Sequence, residues 1–211
     1  MYKSKIFLFL FCCLFTSALP GPAAQAGGPL SALTLAQNGI DQCDSDLFNK
    51  AVDVGEVTDH AADALLAALL KASSEGRLDA SAGMVISLVK MAKDSGQDKF
   101  IKQLLLSEIK SFLASGINGG WFAGKADEKT QSPGSGFAAY LKKLPRGRRT
   151  ILPGKVLSES GDQAEVSATF TDPQAGAFPL VLGLKRQDGV WRVMEIKNAM
   201  ELFTQAATKK I

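Results

Sequence analysis

Residues 164–171, Ala164-Glu165-Val166-Ser167-Ala168-Thr169-Phe170-Thr171, alternate apolar and polar side chains one by one. A period of two is that of a β-strand with one buried face. The apolar set continues at Phe178, Leu180, Leu182 and Leu184, and Gln187-Asp188-Gly189 then separates this run from Val190 to Lys197. Asp-Gly between two such runs is a strong hairpin signal, because both central residues of the tight turn need positive φ. The pattern predicts strands near 151–158, 163–171, 178–186 and 190–197. Unbroken alternation places Phe170, Leu182, Met194 and Ile196 inward, with Val181, Trp191 and Val193 on the other face. That second face then needs partial cover, from the Trp121-Phe122 loop or a C-terminal helix.

Upstream of Thr150 the apolar spacing is three and four, the period of helices packed on one side. A short helix is expected over Leu30 to Ile40, ending near Asn38-Gly39, after a flexible start at Gly27 to Pro29. Asp44-Ser45-Asp46 can cap a helix carrying Leu47, Phe48, Ala51 and Val52. Asp53 with Glu56 reads as a capping box that opens a long helix to Ser74. Further helices are expected from Asp79 to Asp94 and from Asp98 to Gly116, where glycine marks the stop. From Ile117 to Gly136 the pattern fails, giving a loop or lid. A short helix is expected over Phe137 to Leu144 and a terminal one over 199–208. Helices first and antiparallel strands last predict an α+β domain spanning 44–211, mainly helical over 44–144 with its sheet over 150–198.

Lys3 and Lys5 precede an apolar run from Ile6 to Phe15, then Pro20-Gly21-Pro22 and Ala24-Gln25-Ala26. This is the order of a cleavable export signal, 1–26, and the apolar run is about half the roughly 20 residues a membrane span needs. A periplasmic or secreted location follows, with no membrane span after cleavage. Cys12 and Cys13 lie inside the apolar run behind Phe11, which does not suit lipid attachment. Removal of the signal leaves 22 basic and 21 acidic residues. That balance gives no reason to expect a nucleic-acid partner. Cys43 is the one cysteine left, so no intramolecular disulfide can form; burial beside Ile40 and Leu47 is the plain expectation.

Several residue groups resemble sites and fall short of them. Gly119-x-x-x-x-Gly124-Lys125 has the glycines and lysine of a phosphate loop, but Ala126 stands where Mg²⁺ needs a hydroxyl and no strand leads in. Asp41, Asp44 and Asp46 lack the later glycine and glutamate of a Ca²⁺ loop, and helix capping accounts for Asp44 and Asp46. His60, with Asp59 and Asp63 nearby, has no assignable nucleophile and reads as a surface histidine. One His and one Cys do not make a zinc site. Arg146, Arg148 and Arg149 read as a solvated basic turn. No cofactor, metal or catalytic set is therefore expected.

Asp44, Phe48, Val52 and Asp53, together with Phe178-Pro179-Leu180-Val181-Leu182 and Val190-Trp191-Arg192-Val193 through Glu195-Ile196-Lys197-Asn198, resemble the exported bacterial proteins of the DUF2939 type. These are similar to the NTF2-like, cystatin-like α+β cone. The resemblance implies a sheet wrapped on helices that can hold a small apolar ligand or present a protein-binding face, with extra helices here between Asp79 and Gly116. It implies no activity, since that fold hosts enzymes and scaffolds alike. The expectation is a non-catalytic domain binding another exported protein or a small apolar ligand, with Trp121, Phe122, Phe170, Leu182 and Met194 as pocket or lid residues. The alternative is a small-molecule enzyme using that pocket, with Glu165, Glu195 or Tyr140 pointing inward.

Overall fold

The computed structural model describes residues 27–61, 64, 67, 98–126 and 147–202. Helices precede an open, four-stranded antiparallel sheet in the order β1-β2-β3-β4, an α+β arrangement. The strands are β1 Thr150–Ser160, β2 Gln163–Asp172, β3 Gly176–Gln187 and β4 Val190–Ile196. The helices are α1 Leu30–Asp41, α2 Ser45–Ala51, α3 with helical residues 54–61, and α4 Asp98–Asn118. The expected signal at 1–26, the helices expected at 79–94 and 137–144, the far part of the 53–74 helix and residues 203–208 lie outside the described residues.

β2 and β3 keep the alternation read from the sequence. Ala164, Val166, Ala168 and Phe170 are buried and pair with Leu184, Leu182, Leu180 and Phe178. Asp188 and Gly189 have φ of 51° and 79°, as a two-residue primed turn requires. β4 departs from the expectation. Leu182 pairs with Ile196, but Leu184 pairs with Val193, so Met194 and Glu195 together face the single residue Gly183. This bulge reverses the parity of β4. Trp191 and Val193 consequently lie on the core face with Leu184 and are buried, whereas Met194 is displaced and half-buried. No second apolar stripe then remains on β4 to be covered. The outer face carries Glu165, Ser167, Thr169 and Val181, all partly exposed.

The helices fill the core face. α1 turns Ala32, Leu33, Ala36 and Ile40 inward, α2 contributes Phe48, and α4 contributes Ile109, Phe112, Leu113 and Ile117. Burial of this many large apolar side chains is the main force holding helices to sheet. Polar links fix the joints. The Asp44 carboxylate accepts the Leu47 N–H at 2.9 Å and so caps α2, while Asn118 accepts the Ser45 N–H at 2.9 Å and ties it to the end of α4. The Asp53 carboxylate accepts the Glu56 N–H at 3.2 Å, which is half of the expected capping box. The other half is not made, because the Asp53 N–H donates to the Val193 carbonyl at 2.9 Å. Val52 forms a parallel bridge to Val193, and the α2–α3 link thereby covers part of the β4 edge. Asn198 extends the other end of the sheet: its side chain accepts from the Val181 N–H and donates to the Pro179 carbonyl, both at 2.9 Å.

Two helix ends differ from their expected places. α1 runs through Gly39 to Asp41 and is closed by Cys43 at φ 57°, with Cys43 N–H on the Ile40 carbonyl and Asp44 N–H on the Gly39 carbonyl. That is a Schellman closure with cysteine in the position glycine usually takes. Cys43 is accordingly half-buried, not buried as expected. α4 likewise runs through Gly116 to Asn118, and Gly120 at φ 68° turns the chain out of the helix. Gly39 and Gly116 are close-approach glycines. A Cβ on Gly39 would stand 2.5 Å from the Phe48 nitrogen, and one on Gly116 would stand 2.3 Å from Phe122 Cζ.

Arg149 and Asp172 correct the reading of a solvated basic turn. Both are buried, and Arg149 Nε donates to Asp172 Oδ2 at 2.9 Å. Asp172 Oδ1 accepts the Gln174 and Ala175 N–H groups at 2.8 Å, and the Arg149 guanidinium lies 5.7 Å from the Phe122 ring centroid. The pair is well satisfied, so losing one partner strands a buried charge at a cost of about 3–5 kcal/mol. Arg148 grips the Asp41 carboxylate in a two-point contact, Nε at 3.2 Å and Nη2 at 3.0 Å. Arg146 lies outside the described residues.

Candidate functional site

The residues expected to line a pocket or lid are distributed unevenly. Trp121, Phe122, Phe170 and Leu182 belong to one hydrophobic core, with Phe122 and Phe170 each 1 % exposed. The Phe122 ring lies 5.7 Å from that of Phe112, and its carbonyl accepts the Arg149 N–H at 3.1 Å. An antiparallel bridge from Ala123 to Arg148 closes the same turn. Side chains occupy the place where a cone would be hollow. Met194 stands apart on the bulge.

The carboxylates named for an enzyme do not enter this interior. Glu165 and Glu195 are both opposite Gly183 in the sheet register and share the outer face, where Lys197 Nζ lies 3.3 Å from Glu195. Tyr140 and Asp63 lie outside the described residues. His60 is half exposed on α3, 3.9 Å from Glu56. The glycines of the phosphate-loop pattern follow the C-terminal end of α4, where carbonyl oxygens are unsatisfied, whereas phosphate is held at the N–H end of a helix. Lys125 Nζ donates instead to the Asp41 carbonyl. Asp41 holds arginine and Asp44 caps a helix; no group of three or more His, Cys, Asp or Glu among the described residues could hold a metal ion.

A cleft that the sequence did not announce opens at the β4 edge. It has a volume of about 290 Å³, at the small end of ligand pockets. One wall is Ser45, Asn49 and Val52; the next is Asp53, Val54 and Gly55 at the first turn of α3. α4 supplies Lys110, Leu113, Ala114 and Ile117, and β4 supplies Arg192. The Val52–Val193 bridge and the Asp53 N–H on Val193 place the α3 start here, which leaves a gap between it and α4.

The polar end of the cleft is held by Arg192. Its Nη2 donates to the Asn49 carbonyl at 3.1 Å and lies 3.4 Å from Asp53 Oδ2, and its Nη1 donates to Gln187 at 3.1 Å. Its Nε is buried and has no hydrogen-bond partner. Lys110 is exposed, and its Nζ would stand 3.8 Å from a Cβ on Gly55, so the ammonium overhangs the first turn of α3. Two cations therefore meet the positive end of a helix with one cleft-lining carboxylate, Asp53, between them. Of these residues the sequence flagged Asp53 as a cap, and Val52 and Arg192 are among those that carry the family resemblance; the others are ordinary types, and the set comes from three separate stretches, 45–55, 110–117 and 192. No helix among the described residues is long and apolar enough to cross a membrane. Comparison with protein-family models, with curated proteins and with solved structures finds no significant match to the chain.

Proposed function

We propose that this is an exported, non-catalytic binding domain that takes a small ligand in the cleft at the β4 edge. The carrying observation is the contrast between two places. The sheet interior is closed by Phe48, Phe112, Phe122 and Phe170, each 1 % exposed or less, while the cleft offers open volume beside the cationic side chains of Lys110 and Arg192. Export is supported by the Lys3 to Ala26 pattern, and a periplasmic or secreted location goes with it. Helices leading into a four-stranded meander support a relationship to the DUF2939 type and to the NTF2-like, cystatin-like cone, with the cone filled by side chains. A non-catalytic role is favoured over the enzyme because Glu165 and Glu195 lie on the outer face.

The test is amide NMR of the isotopically labelled protein against a panel of small fragments. Shifts are expected at Val54, Gly55, Ala114 and Ile117. Shifts confined to Phe170, Leu182 and the Trp121 indole would move the site into the sheet and overturn this reading. A second reading, a partner protein, is favoured by one observation: Leu152, Val156 and Leu157 of the edge strand β1 are 50 %, 38 % and 43 % exposed. Pro153 and two register shifts interrupt that edge, so such a partner would dock on these side chains and not add a strand.

A further inference from the structure

We propose that the ligand of the cleft is a small carboxylate carrying an apolar tail, an inference that rests on the cleft being the ligand site. Lys110 has neither an ion pair nor a hydrogen bond within the described residues, although its ammonium overhangs the positive end of α3. Arg192 already shares Asp53, and Asp53 also accepts the Glu56 N–H. One carboxylate thus serves an arginine and a helix cap, and nothing in the cleft wall is left to serve the lysine. Glu56, three residues beyond Asp53, is exposed and lies 3.9 Å from His60. Arg192, whose side chain is 28 % exposed, adds a second positive charge to the wall. A carboxylate entering the cleft beside Lys110 would give the ammonium a charge-assisted partner and lie in the field of the Arg192 guanidinium.

The rest of the wall argues for the tail. Val52, Val54, Leu113, Ala114 and Ile117 line the cleft without any charge. A volume of about 290 Å³ is far more than an inorganic anion occupies, and the remainder of the cleft beside this wall suits an apolar chain better than a second charge. The combination of one charged end and one apolar wall matches an amphiphilic acid of short or medium chain. A neutral hydrocarbon would leave the cations unmet, and an amine would repel them.

Octanoate, octan-1-ol, octylammonium and sulfate are the probes, titrated into the protein with amide NMR as readout. Octanoate is expected to shift Val54, Gly55 and Ala114, and to bind about tenfold more tightly than octanol or octylammonium, as one charge-assisted hydrogen bond implies. Lys110→Met, on an exposed position, is expected to keep the thermal midpoint and weaken octanoate about tenfold. Ala114→Phe should block the tail and abolish the shifts. Octanol or octylammonium binding as well as octanoate in the same place overturns the ligand class and leaves the cleft as a site. Sulfate binding as tightly as octanoate overturns the tail. Shifts at the cleft from other fragments of the wider panel, with none from these four, overturn the class alone; silence at the cleft from every compound overturns the class and the site together.

Discussion

Gly39 and Gly116 show how much a single hydrogen in place of a methyl can decide. By intrinsic preference alone, alanine in a helix interior is favoured over glycine by about 1 kcal/mol, and a glycine near the end of an apolar helical pattern reads as a stop. Each of these two instead lets a second segment touch the helix axis: α2 at the Phe48 nitrogen, and the Phe122 ring over α4. The stop that does end α1 is Cys43, a residue type with no reason in the sequence to be chosen for left-handed backbone. Gly116→Ala is therefore expected to lose about 1–3 kcal/mol in urea unfolding, the usual cost of overpacking, despite its better helix preference. Gly39→Ala should lose more, since the atom in its way is backbone and cannot rotate aside. A gain in stability for either variant would show that the glycine serves only to end or loosen its helix. The Arg149–Asp172 pair was equally hidden in the sequence. Three near-adjacent arginines look alike as letters, and only the return of Asp172 at the β2–β3 turn separates the buried Arg149 from the solvent-facing Arg148.

At the scale of elements, the strands were readable because the period of two survives in β2 and β3, and Asp188-Gly189 fixed the turn between β3 and β4. What failed was extrapolation along β4. One extra residue at Met194-Glu195 returns Trp191 and Val193 to the core face and takes Met194 off it. The bulge lies opposite Gly183, where a Cβ would lie 3.3 Å from Glu195 Oε2 and 3.3 Å from Lys197 Cε, so the two outer-face side chains close over a residue without one. β1 carries a similar device. Between Pro153 and Val156 the register shifts, and the Ser167 hydroxyl accepts the Lys155 N–H at 3.0 Å, as if standing in for a backbone carbonyl. The bulge in β4 gives a sharp expectation. Val193→Asp buries an unpaired charge, which costs several kcal/mol out of a typical stability of about 5–15. Met194→Asp, half-exposed on the bulge, should cost much less. Thermal unfolding of the two variants distinguishes the alternatives directly, because unbroken alternation requires the opposite ranking.

For the whole molecule the question is whether the helix–sheet interior is closed or merely covered. The segment from Gly116 to Gly124, rich in glycine and holding Trp121 and Phe122, suggested a movable lid because aromatic side chains there need tertiary contact to stay out of water. The cleft at the β4 edge was not readable at all: its residues are common types whose meeting depends on the Val52–Val193 bridge, which no local pattern encodes. The turn itself is fastened at three points, by the Ala123–Arg148 bridge with its Arg149 N–H on the Phe122 carbonyl, by Arg149 Nη1 on the Trp121 carbonyl at 3.5 Å and by Lys125 on the Asp41 carbonyl. A lid would have to release all three and carry Phe122 off Gly116. Trp121→Ala is therefore expected to cost about 3–5 kcal/mol, the loss typical of a large aromatic removed from a packed core. Trp121→Phe should cost far less than that, because the indole Nε1 is buried without a partner and its removal forfeits no hydrogen bond. The chain has two tryptophans, so the emission of Trp121 is read in a Trp191→Phe background. That emission should be blue-shifted and indifferent to octanoate or an apolar dye, since the proposed ligand enters at the β4 edge and not beneath the turn. A small stability loss for Trp121→Ala, together with emission that moves when an apolar probe is added, would instead mean that the turn opens and that the interior, not the cleft, is where this protein meets its ligand.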